Sequence, residues 1–396
     1  NYEEEWYTYN PRWIIQFGGD NYNYDTRGAE AKSYAAYSQI TWTPNILNNK
    51  LELTAGIRWT KDEKDSTRLQ QSLSRFLVDP TNPNACVCLR DASGTPLTHS
   101  GAPAATAIPG GAIGPTDLIG ISTDDSWSKV TPMAVASYHI TDEISTYAKF
   151  STGYKSGGIN GVAESNAAFR EHFDQETMRS YEIGLKSRFL DNRVQLNSAV
   201  FYNEYDDIQV NTFVPAVIGI AVNNAGKAAI SGLEMELVAR PTHNLDLSFN
   251  YAYLDTKYKE YMDLDSNTGQ IRDFSSERQF AYSPRHSFNT SAKYTFDPMA
   301  YGTLSARVDY VWTDEQFIGV NNDPTTNIDD YGLLGARITL ADIPHGARGD
   351  GQLSVSLWGK NLTDEEYTTS GVNLQVFSVN QWGDPRSYGA ELTYRF

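Results

Sequence analysis

Long apolar runs are missing: no stretch approaches the roughly 18 uninterrupted apolar residues that a membrane-spanning helix needs. Passage through a bilayer by helix is thereby excluded. Passage by strand is not, because a barrel strand shows lipid only every second side chain and its hydropathy stays modest. Cysteine is scarce, 2 in 396 residues, which excludes a disulfide-stapled scaffold. Positive charge is in deficit: 32 Lys and Arg stand against 49 Asp and Glu, a formal net charge of -17. Nucleic acid is excluded as a partner, since neutralising phosphates needs a surplus of the opposite sign. The histidines (His99, His139, His172, His243, His286 and His345) are scattered, with no pair at helical ligand spacing. No nucleophile motif, phosphate loop or His/Glu array occurs, so neither an enzyme nor a cofactor is indicated. The chain opens at Asn1 with neither a Met nor an apolar leader, which implies a removed signal peptide or an internal cut.

What is present is aromatic and periodic. There are 25 Tyr and 8 Trp, side chains that favour membrane–water interfaces. Leu51, Leu53, Ala55, Ile57 and Trp59 alternate with Glu52, Thr54, Gly56, Arg58 and Thr60. Leu245, Leu247, Phe249, Tyr251 and Tyr253 alternate with Asp246, Ser248, Asn250 and Ala252, and the segments 352–358 and 388–396 repeat the pattern. A strict period of two is the signature of strands with two unlike faces.

Extending that template gives about fourteen strands, near 12–24, 33–43, 50–61, 127–139, 143–154, 178–189, 193–207, 226–240, 244–256, 283–296, 301–315, 331–341, 351–361 and 384–396. Most are long enough to cross about 25 Å of hydrocarbon at a tilt, and longer than ordinary soluble strands. The connections come in two alternating sets. Pro44–Lys50, Thr141–Asp142, Asp191–Asn192, Pro241–His243, Asp297–Ala300 and Asp342–Asp350 are short. The intervening segments 62–126, 155–177, 208–225, 257–282, 316–330 and 362–383 are longer. A membrane barrel, with turns on one side and loops on the other, requires this alternation; a Greek-key sandwich does not. The fold class is therefore all-β, an antiparallel transmembrane β-barrel.

Both ends of such barrels normally face the periplasm, which puts the short set there and the long set outside the cell. Trp42 then marks the periplasmic rim, and Trp59, Trp127 and Trp312 the outer rim, as a membrane girdle. Lys186, Arg188, Glu234, Glu236, Arg307, Asp309, Glu391 and Arg395 all fall on the polar face. Turning one Lys or Arg to mid-bilayer would cost about 2–4 kcal/mol, so that face lines the interior.

Several segments resemble the barrel of TonB-dependent outer-membrane receptors. Ser33–Gln39 followed by Leu53–Trp59, Tyr147–Asn160 (YAKFSTGYKSGGIN), and Tyr181–Lys186 with Val200–Ile208 are similar to recurrent stretches of that family. So are Asn224–Lys227 with Ser231–Glu234, Ser283–His286, Lys360–Asp364 with Tyr367, and Pro385–Arg386 through Phe396. They occur in family order over nearly the whole chain. The resemblance implies a barrel of 22 strands around an N-terminal plug, with this chain supplying its C-terminal part: one barrel domain, 1–396, with 62–126 as a long extracellular loop. Plug, coupling box and about eight leading strands are not in this sequence, and residues 1–10 find no place in the pattern.

The resemblance also assigns roles. Tyr388, Leu392, Tyr394 and terminal Phe396 share one face of the last strand and resemble the signal read by the outer-membrane insertion machinery. Ligand contacts in the family come from outer loops and plug; Tyr154, Lys155, Arg170, Arg272 and Trp382 lie at or beyond the outer strand ends, where they could meet an anionic, partly aromatic ligand. Solvated loop positions are the plainer alternative for each. Cys86-Val-Cys88 falls short of a tetrahedral metal set, and Asp263, Asp265 and Asn267 lack the Gly and Glu placement of a calcium loop. The expected function is TonB-dependent active uptake of a scarce bulky nutrient, foremost a ferric siderophore, with cobalamin, haem or glycans as alternatives. Its partners would be TonB and the inner-membrane motor, the insertion machinery, lipid and lipopolysaccharide, and the nutrient. A self-contained porin-like diffusion channel of about 14 strands is the competing expectation.

Overall fold

Strict alternation forces a sheet with two unlike faces, and a computed structural model of the chain has one. It describes residues 5–9, 12–13, 19–76, 78–79, 82–86, 119–160, 169–214, 219–224, 226–265, 268, 270–320, 325–345, 351–373 and 378–395. The main sheet runs in strict chain order, each strand antiparallel to the next. Its strands are β1 (Glu5–Tyr9), β2 (Gly19–Trp42), β3 (Leu51–Phe76), β4 (Ile119–His139), β5 (Ile144–Lys155), β6 (Glu176–Phe189) and β7 (Val194–Asp206). They continue as β8 (Gly226–Ala239), β9 (Leu245–Asp265), β10 (His286–Thr295), β11 (Thr303–Thr313), β12 (Tyr331–His345), β13 (Gly351–Lys360) and β14 (Ser387–Arg395). Among the described residues, the short connections 140–143, 190–193, 240–244 and 296–302 alternate with longer ones. Turn chemistry explains the short ones: Asp191 and Asn192 adopt left-handed backbone, and Gly302 has φ +133, where its carbonyl-crowded site leaves no room for a Cβ.

The hydrophobic residues lie on the outside of the sheet. By register, Ile183 stands beside Val200, Val200 beside Leu233, and Leu233 beside Tyr253. Exposed Trp42, Ile57, Ile338, Leu357 and Leu392 belong to the same face. The opposite face is polar. Lys186, Glu234, Glu236, Arg307, Asp309 and Glu391 all lie on it, stitched by hydroxyl and amide pairs such as Ser248–Ser291 at 2.8 Å, Thr339–Ser356 at 2.9 Å and Asn250 to Asn289 at 2.9 Å. A water-soluble sheet buries its apolar face; this one exposes it, as lipid contact requires.

Two boundaries differ from the expectations. Residues 12–24 are not one strand: Arg12 pairs back to Tyr22 and Trp13 to Asn21, while Gly19–Trp42 forms a single 24-residue strand. The leading strand is instead Glu5–Tyr9, within the stretch that the sequence left unplaced, paired to Asp25–Ala29. The turn-forming run Gly18-Gly19-Asp20 was the available signal. The segment 62–126 is not loop throughout: β3 and β4 stay paired out to Gln70 and Ile119. At about 3.3 Å per residue, the 26-residue β3 is far longer than a bilayer crossing demands, so this part of the wall projects well beyond the membrane.

Pro132 sits inside β4 and cannot donate to a ladder. The β4–β5 pairing begins at Met133 and Ser151, one residue away, and β5 ends at Lys155 while β3 and β4 continue outward.

Candidate functional site at the loop end of the barrel

Five outer segments knit into one layer across the long-loop end. The first turns off β5 at Lys155. Gly157 and Gly158 are required there, because a Cβ on Gly157 would stand 2.3 Å from the Phe173 carbonyl oxygen and 2.4 Å from Trp127 Nε1. Asn160 clamps the next segment, donating from Nδ2 to the Val222 carbonyl at 2.9 Å and accepting from the Val222 amide at 2.7 Å. Gln209 reaches back to the Ser156 and Asp174 carbonyls, and Asn224 holds Asp174 through both its amide atoms. Ile208 and Val210 then pack with Tyr258, Tyr261 and Phe274 of the third segment, joined by Phe280 and Val320. Thr325 of the fourth bonds Ser378 at 2.9 Å, in the hairpin Thr368–Asn373/Ser378–Trp382.

His172 pins the first segment to the projecting wall. Its Nδ1 lies 2.6 Å from Asp125 Oδ2 and its Nε2 2.8 Å from Thr123 Oγ1, both on β4, and its ring meets Trp127 edge-on at 6.5 Å. Lys64 Nζ donates to the Gly157 carbonyl at 2.7 Å beside the same indole, and burial holds its ammonium below the usual lysine range. Phe169, almost wholly buried, packs with Ile121 and Ile159. A polar cavity of about 390 Å³ opens beside this pin, lined by Ser126, Trp127, Ser128, Asp174, Gln175 and Asp207.

Trp127 is therefore no girdle residue. It is only 8% exposed, and its cross-strand neighbour Asp62 puts it on the polar face. Around it both faces of β4 are polar, Ser126 and Ser128 flanking it, so alternation gave no warning. Trp42, Trp59 and Trp312 do lie on the apolar face, Trp312 stacking on Phe288 at 5.7 Å. Replacing Trp127 with alanine is expected to cost about 3–5 kcal/mol locally. Amide hydrogen exchange should accelerate in segments 156–160 and 169–175, and hardly change in β9 to β11.

The nominated ligand residues separate into two kinds. Tyr154 and Lys155 form the outer tip of β5, opposite Thr177 and Glu176, and Lys155 and Arg170 are exposed. Trp382 is 65% exposed at the end of its hairpin. Arg272 has its donors engaged: Asp265 at 3.0 Å, Glu277 at 2.6 Å, and its guanidinium 3.6 Å from the Phe274 ring centre. Asp263 and Asp265, the would-be calcium ligands, are taken by Arg278 and Arg272. Hydrogen bonds from Arg272 hold the Glu277 carboxyl below the usual range. A depressed carboxylate stabilises above its unfolded pKa and loses that contribution as pH falls through its folded pKa, so this brace is intact at neutral pH. Among the described residues no group of three or more His, Cys, Asp or Glu could hold a metal. Cys86 and Cys88, and Phe396, lie outside the residues whose side chains are described. Tyr388, Leu392 and Tyr394 are exposed on the apolar face of β14.

Sequence reasoning missed His172, Asp125, Thr123, Asn160, Gln209 and Asn224. Only Asn160 and Asn224 lay in recognisable motifs. The others are joined by loop folding that no local pattern encodes.

Comparison with known proteins gives a consistent set. A family model described as TonB dependent receptor-like, beta-barrel matches residues 1–362. The ferric-pyoverdine M114 receptor PbuA of Pseudomonas sp. strain M114 is 25% identical over 263 residues, covering 66% of this chain and 29% of that protein. The catecholate siderophore receptor Fiu of Escherichia coli O157:H7 is 24% identical over 293 residues, 72% of this chain and 35% of Fiu. The crystal structure of the ferric yersiniabactin uptake receptor FyuA from Yersinia pestis superposes with a TM-score of 0.66 at 21% identity, over 94% of this chain and 47% of that one. The chain thus spans about a third of these curated relatives and about half of the solved receptor.

Proposed function

The chain belongs to the TonB-dependent receptor-like β-barrel family, and from that premise we propose that it forms the wall and outer loops of a receptor for active uptake of an anionic ferric siderophore. Its place is the outer membrane, and its relatives are transport receptors rather than enzymes. The observation that carries the proposal is the loop layer. A diffusion channel needs an open mouth, whereas here hydrogen bonds and packed aromatics tie the outer segments together over one end of the wall. A self-contained channel is further disfavoured because, among the described residues, no ladder joins β14 to β1. TonB and its motor would act through segments outside this chain. The energetic logic is that a bulky, scarce solute gains nothing from passive flux.

Lys155, Arg170 and Trp382 are the ligand contacts that stay available in this arrangement; Arg272 serves as a brace. Charge-assisted bonds to an anion contribute about 1.5–3 kcal/mol each, so Lys155→Gln or Arg170→Gln alone should weaken binding of the matching anionic ferric chelate about 10- to 100-fold, and the two together about 100- to 10,000-fold. Arg272→Gln should lower loop stability and alter affinity less. The test is uptake of radioiron by iron-starved cells carrying the complete receptor, across a panel of ferric catecholates, hydroxamates and carboxylates. Accumulation of one chelate that stops when the proton-motive force is dissipated supports the proposal. Flux that ignores the uncoupler and scales only with solute size overturns it.

A further inference from the structure

Beside the His172 pin, the polar cavity of about 390 Å³ gathers oxygen atoms from three parts of the chain. Ser126 and Ser128 come from β4, outward of the Trp59–Val130 pair. Asp174 and Gln175 precede β6, and Asp207 follows β7. One side chain fixes both acids in place. Asn224 Nδ2 donates to the Asp174 carbonyl at 3.0 Å and to the Asp207 carbonyl at 2.7 Å. Its Oδ1 accepts from the Asp174 amide at 2.7 Å, and Gln209 Nε2 adds a bond to the Asp174 carbonyl at 3.0 Å. The two backbones are thus held together by contacts that leave both carboxylates out.

Among the described residues neither carboxylate forms an ion pair. Cations on the neighbouring elements have other partners: Lys61 meets Glu63 at 2.6 Å, Arg179 meets Asp206 at 2.9 Å, and Lys64 donates to the Gly157 carbonyl. Lys155 and Lys227 stand opposite Glu176 and Asp206 in register, and His172 spends both ring nitrogens on Asp125 and Thr123. A separate signal comes from Gln175, whose Oε1 is buried with no hydrogen-bond partner. Such an orphaned acceptor costs about 1–3 kcal/mol, and its place in the lining says that a positive group is wanted there. The donors are all oxygen, two charged and three neutral, which suits a hard cation and not a soft metal. Calcium takes about six to eight oxygens, and a water fills only about 30 Å³, so the cavity has room to complete the shell with waters. Magnesium demands near-ideal octahedral geometry, which donors from three separate segments do not preset. An alkylamine would find no aliphatic lining to cover its chain.

We propose that Asp174, Asp207 and Gln175, with Ser126 and Ser128, form a calcium-binding site that clamps the first two outer segments to the projecting wall. Two carboxylates are fewer than tight sites use, so the affinity belongs to the weak extracellular class, about 0.1–1 mM. The site goes beyond the uptake reading, since neither a transported ligand nor an energy source enters it.

The probe is terbium, a calcium surrogate whose emission is excited through a nearby indole; Trp127 lines the cavity and serves as that donor. It is offered to the EDTA-washed receptor purified in detergent from its complete gene. Wild type should emit, calcium should displace the terbium at about 0.1–1 mM, and magnesium should need about tenfold more. Calcium at about ten times its dissociation constant should slow amide exchange in 169–175 and 205–208 about tenfold. D174N/D207N should weaken calcium binding about tenfold or more, as loss of two charged ligands implies. Asparagine keeps the size of both side chains and tolerates the left-handed backbone of Asp207 (φ 55), so this variant should fold. E30Q/D65N, which removes two acids elsewhere on the projecting wall, should leave binding unchanged. Wild-type emission that calcium does not displace overturns the proposal without any variant having to fold. So does a D174N/D207N variant with wild-type affinity, or an E30Q/D65N variant that loses as much.

Discussion

Arginine at both Ile183 and Val200 should stop the receptor from inserting stably into a bilayer. The two residues are direct cross-strand partners at the centre of the exposed apolar face. Each arginine at the midplane costs about 2–4 kcal/mol, and two like charges directly opposite add to the penalty. The sum is comparable to the whole stability of an ordinary domain, about 5–15 kcal/mol. The same residue placed one position off in register should be tolerated. Ala252→Arg faces Glu234 across the polar side, where a cation gains a partner and meets water. Refolding of the complete receptor into liposomes, followed by urea titration and resistance to heat-induced band shift, reads both variants. Equal loss from both would mean that the two faces do not differ as lipid and water differ.

Removal of Phe396 should separate assembly from stability. Strand β14 pairs with β13, and Tyr388, Leu392 and Tyr394 present an exposed apolar row along it, just before Phe396 in the sequence. If the terminal aromatic is part of a signal bound by strand addition, its loss should cut the level of receptor in outer membranes about tenfold in cells. It should hardly change the urea midpoint of protein refolded in detergent, because one terminal side chain contributes little buried area. If it is only another lipid-facing residue, cellular level and stability should move together and slightly.

The sheet was legible because its physics is local. Leu245 to Tyr253 declare their faces by parity alone, and Asp191-Asn192 and Pro241–His243 mark reversals by residue type. Charges then chose the inner face, since Glu234, Arg307 and Glu391 have no acceptable place in hydrocarbon. The reading failed where lipid stops imposing its rule. Beyond the membrane, β2, β3 and β4 continue as polar-on-both-sides strands, so neither their length nor the side chosen by Trp127 could be taken from alternation. Pro132 carried the one local hint, a missing donor inside a strand, and its consequence is the early departure of β5. The loop layer was opaque for another reason. His172 reaches Asp125 and Thr123 across 47 and 49 residues, and Asn160 reaches Val222 across 62. Such pairings follow from where strands end, not from any motif near either residue. Arg272 was nominated as a ligand contact because it is a loop cation; only the structure shows Asp265, Glu277 and Phe274 already around it.

The two-faced wall is tested most directly by labelling β9 residue by residue. Single cysteines would be placed from Leu245 to Tyr253 in the complete receptor, with Cys86 and Cys88 changed to serine, and the protein reconstituted in lipid vesicles. The account expects a strict alternation. Positions 245, 247, 249, 251 and 253 should be quenched by a probe dissolved in the acyl chains, and positions 246, 248, 250 and 252 should react with a water-soluble maleimide. Uniform access from water along the whole strand, or alternation of the opposite phase, would contradict it.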